Sequence, residues 1–180
     1  MKTALILFAE GSEELEAVTI VNILRRGGVD VTLAGLHDGP LRGSRGTVLL
    51  PDTTLDKAQA HQYDMVILPG GQPGTDHLKA DARVLKLVRQ MHAADKYVAA
   101  ICAAPSVLAT AGLLDGKRAT CYPTCLDEFP SVSLQTSAVV EDGKLITSRG
   151  PGTAMDFALV LLERLVGHAK RQEVEAGLVR

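Results

Sequence analysis

The sequence predicts an α/β fold in which a mostly parallel sheet is covered by helices on both faces. Short β-type runs alternate with segments of helical periodicity along the whole chain, which is the pattern of such a sheet. Residues 4–9 are continuously apolar, as expected of a central parallel strand buried on both faces. At 180 residues the chain fits one domain, residues 1–180, which can bury roughly 70% of its unfolded surface without disulfides or metals.

The predicted elements begin with the strand at residues 4–9. Ser12 is a plausible cap for a first helix, and the acids that follow it favour a helix start because of the dipole. This helix is predicted to run to Arg26 and to stop at the glycine pair 27–28. Residues 29–36 form the next strand, which gives the order of a βαβ unit.

The middle of the chain continues the alternation. Glycines and a proline in residues 41–56 indicate a small hairpin rather than a crossover helix. Residues 65–68 are a second buried strand, and helical spacing of apolar residues predicts a helix over 81–94. Residues 97–101 then read as a strand and 103–111 as a helix.

The last third predicts a hairpin followed by two helices. The hairpin covers residues 139–146 and turns at Asp142 and Gly143. Apolar residues repeat every 3.6 positions between Ala154 and Leu165, which predicts a helix with one buried face. Residues 168–178 are expected to form a final helix.

Composition excludes several classes of protein. The formal net charge is -2, so no nucleic-acid surface is indicated. No stretch approaches the roughly 18 continuous apolar residues of a membrane span, and residues 4–9 are too short for a signal core. Without an export signal and with only three cysteines, we expect the reducing cytoplasm and no structural disulfide.

Cys102 is the first candidate for chemistry. It directly follows a predicted strand and precedes a predicted helix, with the small residues Ala100 and Ala104 two positions to either side, as a nucleophile elbow requires. The elbow would project the sulfur above the sheet at a helix N-terminus, which lowers the pKa of a thiol. The alternative is that Cys102 is a small buried hydrophobe, the common fate of a free cysteine.

Glu16 is the second candidate because it lies on an apolar helical stripe. The other members of this stripe are Ile20, Ile23 and Leu24. A carboxyl facing the sheet is costly unless it is protonated or paired, and the first turns of this helix lie near the strand end that carries Cys102. A protonated Glu16 could donate a hydrogen bond to a thiolate and exchange protons with a substrate. The alternative is an acid that only complements the helix dipole.

Backbone amides and a few other side chains are further candidates for the site. Gly70 and Gly71 follow a buried strand, so the amide of Gly71 could form an oxyanion hole with that of Ala103, although a plain tight turn fits equally. Cys121 and Cys125 are interpreted as structural, with secondary oxidation sites as the alternative. None of the five histidines directly follows Cys102, and no two of them have metal-ligand spacing, which argues against a catalytic triad and a metal site.

Four motifs occur in order over nearly the whole chain and resemble a known family. They are residues 11–16 (GSEELE), 68–71 (LPGG), 99–105 (AAICAAP) and 147–153 (TSRGPGT). Together they are similar to the ThiJ/PfpI superfamily, in the branch of the Parkinson-disease-associated protein deglycase and its bacterial relatives. The resemblance implies a flavodoxin-like three-layer sandwich that forms a homodimer.

The resemblance also implies roles for individual residues. Cys102 would be the reactive cysteine and Glu16 the protonated partner that holds it as thiolate, with the amides of Gly71 and Ala103 around the sulfur. Arg45 and Arg149 match arginines near this site in relatives. Tyr122 stands where the human-type member has a histidine. Ala103 stands where the peptidase branch has a histidine, so peptidase activity is not expected.

Two functions follow from this resemblance. The first is a glyoxalase or deglycase that needs no cofactor, metal or glutathione and acts on methylglyoxal or on early glyoxal adducts of proteins and nucleic acids. The second is an oxidative-stress sensor or chaperone with little turnover, in which Cys102 is oxidised to sulfinate. Neither requires a membrane or sequence-specific binding of nucleic acid.

Overall fold

The structure is a computed structural model that describes residues 1–180. Its strands are β1 (Thr3–Phe8), β2 (Asp30–Gly35), β3 (Leu41–Arg42), β4 (Val48–Leu49), β5 (Thr53–Thr54), β6 (Met65–Leu68), β7 (Tyr97–Ile101), β8 (Arg118–Ala119), β9 (Ser133–Leu134), β10 (Val139–Asp142) and β11 (Leu145–Ser148). Its helices are α1 (Glu14–Arg26), α2 (Leu55–Ala58), α3 (Gly74–Ala80), α4 (Ala82–Ala93), α5 (Pro105–Thr110), α6 (Ala154–Val166) and α7 (His168–Ala176), and a 3-10 turn covers Pro151–Thr153.

Seven strands form the main sheet in the order β10-β11-β7-β6-β1-β2-β5. Every pairing is parallel except that of β10 with β11, which form the predicted hairpin and lie at one edge of the sheet. β1 pairs with β6 on one side and β2 on the other, so its continuous apolar sequence lies at the centre. Two small two-stranded sheets, β3-β4 and β8-β9, lie outside the main sheet.

Hydrophobic cores lie on both faces of the sheet. Leu5 and Leu7 of β1 pack with the apolar faces of α2 to α5. Ile6 and Phe8 point the other way and pack with α1, α6 and α7. Because alternate residues of a strand face opposite sides, one apolar strand supplies both cores, and the predicted flavodoxin-like three-layer sandwich is confirmed.

Several local predictions need correction. Ser12 does not cap α1, because its hydroxyl accepts a hydrogen bond from the Ala9 amide at 3.1 Å and Glu13 takes the N-cap position. The helix after β7 begins at Pro105, two residues later than expected. The helices α2 and α3 were not predicted, since they are only four and seven residues long and carry too little periodicity.

No helix of the protein has the length and apolar character needed to cross a bilayer.

Candidate active site

Residues that follow neighbouring strands converge at one edge of the sheet. β1, β6 and β7 are adjacent and parallel, so their carboxyl ends lie side by side. The start of α1, the glycines after β6 and Cys102 after β7 therefore meet, at the position where open α/β sheets bind ligands.

Cys102 sits on a strained turn, as an elbow requires. Its φ is +65°, in the left-handed region that residues with a side chain rarely adopt. The surrounding backbone holds this conformation: the Cys102 amide donates to the Ser148 carbonyl at 3.0 Å, and its carbonyl accepts from the Tyr122 amide at 2.8 Å. Such strain persists only where neighbouring structure over-determines it. The residue is 8% exposed.

Two glycines allow the backbone after β6 to approach this turn. A Cβ on Gly70 would lie 2.6 Å from the Cys102 Cβ, closer than side-chain atoms can pack. Gly71 has φ +86°, and a Cβ there would collide with the Glu13 amide nitrogen. Both positions therefore need glycine, because the chain must pass between the start of α1 and the elbow.

Glu16 is fully buried beneath the elbow, on the sheet-facing side of α1 as predicted. Its Oε2 accepts a 2.7 Å hydrogen bond from the Gly70 amide. Its Oε1 is buried without a conventional nitrogen or oxygen partner, and the adjacent polar group is the Cys102 thiol. Burial raises the pKa of Glu16 from 4.5 to about 7, although the Gly70 amide and the Cys102 thiol stabilise the carboxylate.

The prediction that the pKa of Cys102 is lowered is wrong for the state in which Glu16 is ionised. Burial and the Glu16 charge raise the thiol pKa to about 12, and the amides of Gly71 and Ala103, which donate to the sulfur, only partly oppose them. Two anions in one buried site repel each other, so the pair favours a single negative charge. When Glu16 holds the proton, its repulsion is absent and both amides still face the sulfur.

The sulfur opens onto a cavity of about 370 Å³. Five residues predicted for the site line it: Arg45, Gly71, Cys102, Ala103 and Tyr122. Glu16 and Gly70 do not line the cavity. Both are buried against the elbow, where Glu16 contacts the Cys102 thiol and the Gly70 backbone passes close to the Cys102 Cβ.

Arg149 is not brought to the cavity, contrary to the prediction. Its guanidinium donates to the Thr136 carbonyl at 2.8 Å, and its amide donates to the Ala138 carbonyl. These bonds hold the exposed side chain against the segment before β10. Pro151, two residues later, lines the cavity instead.

A network of acids holds the loop that carries Arg45. Glu14 accepts hydrogen bonds from the amides of Arg45 and Thr47 at 3.0 and 3.1 Å, and Glu13 accepts one from the Ser44 hydroxyl at 2.7 Å. Burial alone would raise the pKa of Glu14, but these donors outweigh it and leave that pKa lowered. The sequence interpretation of both acids as dipole partners missed this contact with the loop.

The other two cysteines differ in whether they line the cavity. All three cysteines are free. Cys121 is buried in the core, whereas Cys125 lines the cavity beside Cys102. No histidine lines that cavity, and no group of three or more His, Cys, Asp or Glu side chains is arranged to hold a metal ion. The sequence carried no signal for Cys125 beyond its position three residues after Tyr122.

The fold and site define a class of α/β proteins that present a cysteine on a strained elbow next to a buried carboxyl. Residues 2–164 match the model of the DJ-1/PfpI family. The chain therefore belongs to this family.

Individual relatives agree with this assignment. The crystal structure of Drosophila melanogaster DJ-1beta superposes with a TM-score of 0.96 at 43% identity, over 99% of this chain and 97% of that one. A structure of oxidised Toxoplasma gondii DJ-1 has a TM-score of 0.95 at 35% identity, over 99% and 98%. A Caenorhabditis elegans relative named glutathione-independent glyoxalase DJR-1.2 is 35% identical over 94% of this chain and 91% of its own length.

Proposed function

We propose that the protein is a glutathione-independent glyoxalase that converts methylglyoxal to lactate, with deglycation of early glyoxal adducts as the same chemistry on a larger substrate. One observation carries the proposal. A strained cysteine and two backbone amides that donate to its sulfur line one cavity, and a buried acid with a pKa near neutrality contacts the cysteine. Perturbed titratable groups of this kind concentrate at functional sites.

The arrangement supports a stepwise mechanism. With the proton on Glu16, the Cys102 sulfur attacks the aldehyde carbon and forms a hemithioacetal, whose oxyanion accepts hydrogen bonds from the amides of Gly71 and Ala103. Glu16 gives its proton to this oxyanion, and the resulting carboxylate then removes the proton from the former aldehyde carbon and delivers a proton to the neighbouring carbonyl carbon. The product of this transfer is a thioester, and water hydrolyses it to release lactate and the free thiol.

The relatives support this choice of reaction. The nematode relative is named a glutathione-independent glyoxalase. Deglycation would transfer the aldehyde carbon of a hemithioacetal or aminocarbinol adduct to the Cys102 sulfur, which frees the repaired thiol or amine. Lactate would then form by the same later steps. The substrates are therefore a small 2-oxoaldehyde and, by extension, glycated proteins or nucleotides.

Measurement of lactate formed from methylglyoxal tests the proposal. We expect Cys102→Ala to abolish turnover, and Glu16→Gln to lower it by about 10²–10⁴-fold because the proton-transfer group is lost. Cys121→Ala is the matched control, since that thiol lies in the core outside the cavity. Full lactate production by Cys102→Ala would refute the proposal.

Hydrogen isotope labelling tests the role of Glu16 separately. In heavy water, a carboxyl that exchanges with solvent should introduce deuterium at carbon 2 of the lactate, as detected by NMR. Retention of the original aldehyde hydrogen at carbon 2 fits either a direct hydride shift or a proton return faster than exchange with solvent, whereas the same labelling pattern and the same turnover in Glu16→Gln would remove Glu16 from the mechanism.

A second candidate function is a sensor or chaperone in which peroxide oxidises Cys102 to sulfinate. The unpartnered Glu16 Oε1 favours it, because a protonated carboxyl there could donate to a sulfinate oxygen. The Toxoplasma relative was solved in an oxidised form. Intact-mass measurement after mild peroxide tests it: the absence of a two-oxygen adduct at Cys102 would refute a sensor.

The proposal extends to assembly and compartment. A homodimer is expected, and Leu15 and Val18 leave about half of their surfaces exposed one turn apart on α1. Three free thiols fit the reducing cytoplasm.

A further inference from the structure

Two thiols share the wall of the active-site cavity. Cys125 lines the same cavity as Cys102, and neither is in a disulfide. Cys102 is buried at the base, while Cys125 is partly exposed. A second thiol beside a reactive cysteine is the arrangement that captures a sulfenic acid.

The backbone connects the two cysteines through only two hydrogen bonds. The Cys102 carbonyl accepts from the Tyr122 amide at 2.8 Å, and the Tyr122 carbonyl accepts from the Cys125 amide at 3.1 Å. Residues 122–125 form a turn in which Thr124 has φ +72°. This turn belongs to neither a helix nor a strand, so the approach of the two Cα atoms to within about 7 Å, as a disulfide requires, disturbs no regular element.

Cys121 differs from Cys125 although only three residues separate them. Its thiol lies in the hydrophobic core, where it accepts hydrogen bonds from the amides of Leu126 and Cys125, and it does not line the cavity. Burial raises the pKa of the Cys125 thiol as well; the Lys79 ammonium opposes that effect and the Asp127 carboxylate adds to it, so the pKa remains raised. Cys125 is therefore the more accessible of these two thiols.

We propose that Cys125 is the resolving thiol for oxidised Cys102. A hydroperoxide transfers one oxygen atom to the Cys102 sulfur, which yields a sulfenic acid and releases an alcohol, or water from hydrogen peroxide. The Cys125 thiolate attacks that sulfur, forms the Cys102–Cys125 disulfide and displaces hydroxide, which leaves as water after taking a proton. The peroxide gains two electrons, and the two thiols supply them.

This disulfide diverts Cys102 from irreversible oxidation. A sulfenic acid that meets no thiol is oxidised to sulfinate by a second molecule of peroxide, whereas a disulfide returns to two thiols when an external small-molecule dithiol reduces it. The inference rests on the nucleophilic Cys102 of the proposed function, but it does not depend on which substrate that sulfur attacks.

The test is peptide mapping without reduction after treatment with stoichiometric hydrogen peroxide, followed by alkylation of the remaining thiols. Wild type and Cys121→Ser should yield a peptide pair joined through Cys102 and Cys125 within one chain, and dithiothreitol should separate the pair. Cys125→Ser should lose the pair and accumulate Cys102 sulfinate faster than wild type. Circular dichroism verifies that each variant is folded, and the wild-type map stands even if a variant is not.

Three results would overturn the inference. They are sulfinate at Cys102 while Cys125 remains alkylatable in the wild type, a disulfide that joins Cys125 only to Cys121, and a bond that links two chains. Methylglyoxal turnover measured on the same sample separates this failure from that of the proposed function. If turnover persists without the disulfide, only the resolving role is wrong, whereas an inert Cys102 in both assays removes both.

Discussion

Replacement of Glu16 by glutamine should change how stability depends on pH. Glutamine keeps the size of a protonated carboxyl and an oxygen that can accept from the Gly70 amide, which now bonds to Oε2 at 2.7 Å. It cannot ionise. The difference in unfolding free energy between wild type and Glu16→Gln therefore isolates the cost of placing a charge at this fully buried position.

The magnitude follows from the pKa of Glu16. Burial raises it from 4.5 to about 7 in the folded state, and each pKa unit corresponds to about 1.4 kcal/mol. The folded state thus binds the proton more tightly than the unfolded state by about 3 kcal/mol. Because the pKa is raised, this stabilisation is fully present below about pH 4.5 and is lost as the pH rises through about 7.

Urea unfolding at intervals from about pH 4.5 to pH 8 measures the effect. We expect wild type to lose about 3 kcal/mol relative to Glu16→Gln across this range, with unchanged m-values. Glu14→Gln is the control with the opposite sign. The pKa of Glu14 is lowered, so its contribution is present above 4.5 and lost as the pH falls.

A difference between wild type and Glu16→Gln that stays constant over this pH range would refute the reasoning. It would mean that Glu16 has the same pKa in the folded and unfolded chains. The carboxyl could then not hold and release a proton near neutral pH, as the mechanism requires.

Three further predictions concern packing, capping and assembly. Gly70→Ala should lower the free energy of unfolding by about 1–3 kcal/mol, because the new Cβ would lie 2.6 Å from the Cys102 Cβ. Gly152→Ala is the control and should be nearly neutral, since there is open space around Gly152. Equal melting temperatures for the two variants would contradict this. Asp81→Ala should lower the free energy of unfolding by about 1 kcal/mol, since the Asp81 side chain caps α4. Hydrogen bonds to Arg83 lower the pKa of Asp81, so the loss should shrink only when acid protonates this carboxylate. A loss in urea unfolding that persists in acid would exclude the cap. Light scattering should find the mass of two chains for wild type and a shift toward one for Val18→Arg, and a wild-type mass of one chain at all concentrations would exclude the dimer.

Much of the fold could be predicted because its signals are local. The strands Met65–Leu68 and Tyr97–Ile101 and the end of α1 at Arg26 lie where the apolar runs and the glycine pair place them. A buried parallel strand needs continuous apolar sequence, and a helix end needs a residue that tolerates an unusual backbone. α3 carries neither signal, and its packing is decided by neighbours distant in sequence.

The site could be predicted only in part. Cys102 and Glu16 stood out because a cysteine after a buried strand and an acid on an apolar stripe are anomalies that one segment displays. Arg149 and Cys125 show the limit of such reasoning. A hydrogen bond to the Thr136 carbonyl holds the Arg149 side chain away from the cavity, and a hydrogen bond from the Tyr122 amide to the Cys102 carbonyl holds the turn that carries Cys125 at the cavity.

The amino-acid sequence by itself determined the layered α/β architecture and the two residues at the centre of the site. Apolar periodicity, a carboxyl on an apolar stripe and a cysteine after a buried strand are all visible within single segments. Only the tertiary structure decided the proton balance between Glu16 and Cys102. The pKa values of these two groups depend on burial and on the contact between residues that are 86 positions apart in the sequence. No local sequence pattern specifies the distance between Glu16 and Cys102 in the folded protein.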